Sequence, residues 1–284
     1  MWIPRSGLCA LVCDVMPAIP KDTTDRNRTS PLAFTGNKFE FRMLGSSQSV
    51  ASPNIALNTI MAEELRQFAD VLEAAPDFDK ALHELVCKAF TEHQRIIFSG
   101  NGYSQEWKAE AAQRGLSNYP STAECMGSYI AQKNIDLVTS HGIFSESEFR
   151  ARHAIQLETY VKTVNIEALT MVDMAMHQIL PSALRYSRDL CAGVRDKKDL
   201  GLSCRAETAL LTRLSDSCDR LYESITALQE ILTHVPATTA AAADYHRNTV
   251  VPVMETLRSH ADALEAITDK SYWPFPTYSD ILFY

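Results

Sequence analysis

Between residues 36 and 44 the chain reads GNKFEFRML, with Lys38, Glu40 and Arg42 at every second position and Phe39, Phe41 and Met43 between them. Successive side chains of a β-strand point to opposite faces, so a strand over 37–43 has one face of three charges and one of large apolar groups. Two readings of the charged face stand: a solvated outer surface, the ordinary meaning of such alternation, or an inner face turned toward a ligand. Upstream, residues 18–35 (AIPKDTTDRNRTSPLAFT) are dense in turn formers and hydroxyl groups and predict an extended loop leading into the strand. Downstream, Ser52 before Pro53 predicts a helix start, since serine caps free N–H groups and proline has none to lose. Ile55, Leu57, Ile60, Met61, Leu65, Phe68, Val71 and Leu72 then recur at helical spacing and predict a buried helix of several turns.

From there the pattern is helical almost to the end. A second apolar stripe runs from Phe78 to about Phe98 and stops at SGNGYS; a short amphipathic helix follows from Ser104 to Arg114, stopped by Gly115. NYPSTAECMGSYIAQ begins another helix, and a long one follows to the ILP at 179–181, with Ser145 and Glu148 in a capping-box pattern. Over 211–232 the apolar positions Leu211, Leu214, Cys218, Leu221, Ile225, Leu228 and Leu232 alternate by three and four, which is a heptad seam. A second seam runs through Val250, Val253, Leu257, Ala261, Leu264 and Ile267, with an Ala/Thr connector over 236–244 between the two. Two such helices on a short linker fold back most simply as an antiparallel pair. The aromatic end, SYWPFPTYSDILFY, reads as a segment docked on the body. The predicted fold class is therefore mainly α with a small β component.

Composition narrows the functional classes. A 284-residue chain with 46% hydrophobic residues has material for a real core. Its formal net charge of -8 argues against general nucleic-acid binding, so any anionic ligand needs a local cluster of cations. The seven cysteines are scattered, without CxxC or zinc-type spacing, and read as reduced thiols of a cytoplasmic protein. The apolar run after Arg5 is bracketed by Pro4 and Asp14 and lacks a small-residue cleavage site, against a signal peptide. No apolar run approaches the ~20 residues needed to span a bilayer, so no membrane role is expected.

The chemistry gathers in DRNRTSPLAFTGNKFEFR, residues 25–42. Arg28 and Arg42 are each suited to grip a phosphate or carboxylate, because a guanidinium offers paired donors to two oxygens. Glu40, set between Lys38 and Arg42, stays ionised and is a natural ligand for a hard divalent cation. Three cations and one carboxylate suit a metal-nucleotide site, although no glycine-rich phosphate loop accompanies them. Elsewhere, His141 and His153 lack metal-ligand spacing, Met171, Met174 and Met176 read as core filling, and GNGYS reads as a structural turn.

These residues carry a resemblance. NRTSP followed by FTGNKFEFRMLGSSQSVASPNIALNTIMAEEL resembles the end of the catalytic barrel of type III glutamine synthetases. The likeness continues through EHQRIIFSGNGYSQEWKAEAAQRGLSN, KNIDLVTSHGIFSESEFRARHAIQLETYVKTVNIEALTMVDMA and WPFPTYSDILF, over roughly residues 18–284. The resemblance implies ATP-dependent ligation of ammonia to glutamate through γ-glutamyl phosphate, with Mg2+ or Mn2+, and assembly into double hexameric rings. By match of motif it implies that Arg28 contacts ATP phosphates, Glu40 binds metal, and Arg42 contacts the glutamate side chain and the transferred phosphoryl. Lys38 falls where shorter members often have an arginine near the nucleotide. It divides the chain into an unmatched leader at 1–17, a C-terminal part of the catalytic domain at 18–140, and a helical region at 141–284 with its docked tail.

There are departures. Shorter members carry a further arginine five residues after the one matching Arg28, and here that position is Ala33. The family's β-grasp domain and most of its metal-binding glutamates precede the matched stretch. The expectation is then a C-terminal portion of such an enzyme, catalytically incomplete alone. The alternatives are a helical assembly or regulatory module derived from the enzyme, or a γ-glutamyl ligase using another amine.

Overall fold

The computed structural model describes residues 8–9, 19–20, 32–34, 38–42, 45, 48–98, 100–276 and 278–282. Contacts divide the chain into two units, residues 1–119 with 132–146 and residues 120–131 with 147–284. The first unit holds two small antiparallel ribbons, β1 (Leu8–Cys9) with β2 (Ile19–Pro20) and β3 (Leu32–Phe34) with β4 (Phe39–Phe41). The predicted strand is thus present but short. It has a partner where a loop was expected, in the LAF of residues 32–34. Leu, Ala and Phe there extend because β4 offers them a ladder, an effect beyond local turn propensity.

Helix α1 (Ala51–Glu73) follows. Its start corrects the reading of Ser52 as the cap. Val50 is the N-cap, no side chain caps it, and the nearest hydroxyl help is Ser49 Oγ, accepting from the Ala51 N–H at 3.2 Å. Pro53 sits inside the first turn, where its missing N–H costs nothing. The helical period of α1 is as read, but burial does not follow it. Only Thr59 is buried, while Ile60, Leu65 and Val71 are exposed. A stripe needs an opposing surface, and among the described residues the main helical neighbours of α1 are α2 (Phe78–Glu92) and α5 (Gln132–Ser140).

The α1–α5 contact carries an ion-pair network. Glu63 accepts from Arg66 at 2.7 Å, from Gln67 at 2.7 Å and from His141 Nε2 at 2.8 Å. Those donors, Arg66 foremost, hold the Glu63 carboxyl well below the usual carboxylate range. Asp77 caps α2 by accepting from the Lys80 N–H, as Ser104 caps α3 (Gln105–Gln113) by accepting from that of Trp107. Gly115 ends α3 at φ +70°, with its own N–H on the Ala112 carbonyl and the Leu116 N–H on that of Ala111. A left-handed residue with this pair of bonds is the helix stop that the glycine predicted. Trp107 stacks on Phe98 at 3.7 Å, and Arg114 lies over its ring while donating to the carbonyls of Arg95 and Ile97.

The second unit is a helical bundle. It contains α4 (Thr122–Tyr129), α6 (Glu146–Met174) from Ser147 onward, α7 (Leu180–Asp199), α8 (Arg205–Leu232), α9 (Thr239–Tyr245), α10 (Val251–Glu265) and α11 (Tyr278–Leu282). The long helix expected to end at Pro181 continues past it to Asp199. A π turn over Ala175–Ile179 joins α6 to α7, with the Leu180 N–H bonded five residues back to Ala175. Widening the helix just before proline relieves the clash of its ring with the carbonyl four residues back. The same device recurs at Pro252, where a π turn over His246–Val250 joins α9 to α10. The Ala/Thr connector is largely helical as well, with Ala242 and Ala243 buried.

Both heptad seams are buried as predicted. Leu214, Leu221, Ile225 and Leu228 of α8 pack with Val250, Leu257 and Leu264, and a third contributor, α6–α7, adds Ala168, Ala175, Ile179 and Ala183. Tyr245 Oη donates to the Ile231 carbonyl at 2.9 Å, and Ser224 Oγ lies 2.6 Å from His260 Nδ1. Position numbers rise on one helix as they fall on the other, which defines the antiparallel pair. In the tail, Trp273 and Phe275 pack against the core and Tyr272 Oη donates to Asp189 at 2.6 Å, as expected of a docked segment.

Candidate functional site

Register fixes what the β3–β4 ribbon presents. Leu32 pairs with Phe41, Ala33 with Glu40 and Phe34 with Phe39. Paired residues share a face, so Ala33 and Glu40 lie on one side, while Leu32, Phe39 and Phe41 lie on the other. Arg42 Nη2 and Glu40 Oε2 form an ion pair at 2.9 Å, with the side chains 17% and 32% exposed respectively. Phe39 is 52% exposed. Glu40 and Arg42 are partly covered, as are Leu32 and Phe41, while Lys38 is exposed like Phe39, so burial does not rank the two faces.

The structure brings together Glu40 and Arg42 and leaves Lys38 exposed. Arg28 lies outside the described residues. The buried Ala33 opposite Glu40 was not singled out as part of this face, since nothing local in PLAFT announces a strand. A carboxylate has two oxygens and about four acceptor positions, so the Arg42 contact at Oε2 does not preclude a cation on the same group. Among the described residues there is no group of three or more His, Cys, Asp or Glu placed to hold a metal ion. The donor set here fits a hard divalent cation as one oxygen ligand, and not as the six-fold shell such ions require.

The remaining histidines fall to packing and pairing. His141 is tied to Glu63, and His153 lies 6.4 Å from the Tyr129 ring. The described cysteines, Cys87, Cys125, Cys191, Cys204 and Cys218, are all free thiols. No helix among the described residues is long and apolar enough to cross a membrane.

A mainly helical chain with an Arg–Glu pair at its fourth strand is similar to known proteins. Residues 81–198 match a family described as the glutamine synthetase C-terminal domain. Over its length the chain is similar to the type-3 glutamine synthetase of Dictyostelium discoideum, 36% identical over 278 residues, which covers 94% of this chain and 38% of that protein. It is similar also to a glutamine synthetase of Butyrivibrio fibrisolvens, 37% identical over 270 residues, covering 93% of this chain and 38% of the relative. A glutamine synthetase of Bacteroides fragilis (strain YCH46) is 34% identical over 281 residues, with 94% and 38% covered. The chain is thus similar to glutamine synthetases, one of them of type 3, along almost its whole length, while spanning 38% of theirs.

Proposed function

We propose that this chain supplies the C-terminal part of a glutamine synthetase, an enzyme that joins ammonia to glutamate at the expense of ATP. In this reading a γ-carboxylate oxygen of glutamate takes the γ-phosphoryl group of ATP, ADP leaves, and ammonia displaces phosphate from the acyl carbon. Glu40 serves as one ligand to Mg2+ or Mn2+, whose chemistry is to neutralise charge on the phosphoryl oxygens. Arg42 holds the glutamate side chain and the transferred phosphoryl through its paired N–H donors, and Arg28 and Lys38 contact the ATP phosphates. The protein works in the cytoplasm as double hexameric rings. The observation that carries the reading is the similarity over 94% of the chain together with Glu40 and Arg42 meeting at 2.9 Å on one face.

Glu40→Gln tests it. The substitution keeps shape and removes the anionic oxygens that a hard cation prefers. With the substitution placed in a full-length glutamine synthetase, expected are a fall of at least about tenfold in Mn2+ affinity, read by electron paramagnetic resonance of the free ion, and a matching fall in γ-glutamyl hydroxamate formation. Unchanged Mn2+ affinity, or turnover near that of the parent protein, would overturn the assignment of Glu40.

A further inference from the structure

The helical unit contains a cleft of about 660 Å³, walled by α6 with its π turn on one side, α10 on another and the aromatic tail. Its floor is soft and apolar, made by Met171 and Met174 of α6 and Met254 and Leu257 of α10. Methionine is unbranched and polarisable and accommodates ligands of irregular shape. Trp273 and Phe275 line the same space with ring centroids 6.4 Å apart and planes at 77°, so two aromatic surfaces stand nearly at right angles. The volume is that of an ordinary small-molecule site.

Charge around the cleft is mostly of one sign. Glu167 comes from α6, and Glu255, Asp262 and Glu265 from α10. Among the described lining residues Arg258 is the one cation, and its Nε is bonded to Asp262 at 2.7 Å. Carboxylates in excess repel an anion and attract a cation, and aromatic faces placed at right angles favour an ammonium group in particular. We propose that this cleft binds a small amphipathic organic cation, an alkyl- or arylalkyl-ammonium. Its apolar part lies on the methionine floor and its ammonium lies at the Trp273–Phe275 corner beneath the carboxylates. This assignment is independent of the reading of Glu40 and Arg42.

A matched series separates the contributions: 4-phenylbutylamine, 4-phenylbutanol and 4-phenylbutyrate share an apolar body and differ in charge. The full chain, labelled at its methionine methyl carbons, is titrated with each by NMR. The amine should move the Met171, Met174 and Met254 signals saturably, with a dissociation constant in about the millimolar range or tighter. The buried Met126 signal, from a separate cluster, should stay in place. The alcohol should bind at least about threefold, and the carboxylate at least about tenfold, more weakly than the amine. Glu255→Gln combined with Glu265→Gln should weaken the amine about three- to tenfold and leave the alcohol unchanged. Met254→Trp, which fills the floor, should abolish binding of all three. The proposal is overturned if the carboxylate binds as well as the amine, if the double variant loses nothing, or if no compound moves those three signals.

Discussion

A carboxylate and a guanidinium two residues apart on a strand lean over the same face, and Glu40 and Arg42 meet there at 2.9 Å. That much was legible, because the period of a strand is a property of the backbone. The partner strand was not legible, and with it went the place of Ala33, directly across from Glu40. An arginine at 33 would put a second guanidinium beside the carboxylate; alanine leaves that space to Arg42. Cysteine reactivity is a second residue-scale matter. Burial pushes the Cys218 thiol up to about 11, with the charge of Asp219 adding to it, whereas Cys87 and Cys191 are exposed. The thiolate is the reactive form, so at pH 7.5 iodoacetamide should modify Cys87 and Cys191 within the native protein and spare Cys218 until denaturant is added. Peptide mass spectrometry reads all three sites, and early labelling of Cys218 would contradict its place in the core.

At the scale of elements, the same helical period led to two outcomes. The seams over 211–232 and 250–267 are buried because each supplies the surface that the other needs, and α6–α7 closes the third side. The stripe of α1 is equally periodic yet open: period states which residues share a face, and only the fold states whether anything covers it. Pro181 misled for a related reason. It was read as the end of its helix, but like Pro252 it follows a π turn that takes up the missing hydrogen bond, and no residue type advertises a π turn in advance. The contrast between stripes predicts a contrast in stability. Leu221→Ala, at a fully buried seam position, should cost about 2–5 kcal/mol. Leu65→Ala, at a position 60% exposed on α1, should change stability by less than about 0.5 kcal/mol. Urea denaturation of the two variants checks this, and losses of similar size would mean that α1 is covered after all.

The whole molecule inherits that contrast between its two units. In residues 120–131 with 147–284, a continuous cluster runs from Val164 to Leu264, and its seam residues sit in the middle of long helices. Among the described residues of 1–119 with 132–146, buried side chains are sparse, and α1 and α2 bond their backbones internally beneath largely exposed side chains. Local opening of a helix costs little where few apolar contacts are lost with it, and approaches the global unfolding cost where a core must be broken. Amide hydrogen exchange should therefore divide along the same line. Peptides over 214–228 and 250–264 should exchange at least about a hundredfold more slowly than peptides over 51–73 and 78–92, although all are helical. Hydrogen exchange read by mass spectrometry in dilute buffer measures both sets in one experiment. Equal protection of α1 and α8 would show that the apolar face of α1 is satisfied in solution, and would refute the contrast drawn between the exposed α1 and the buried α8.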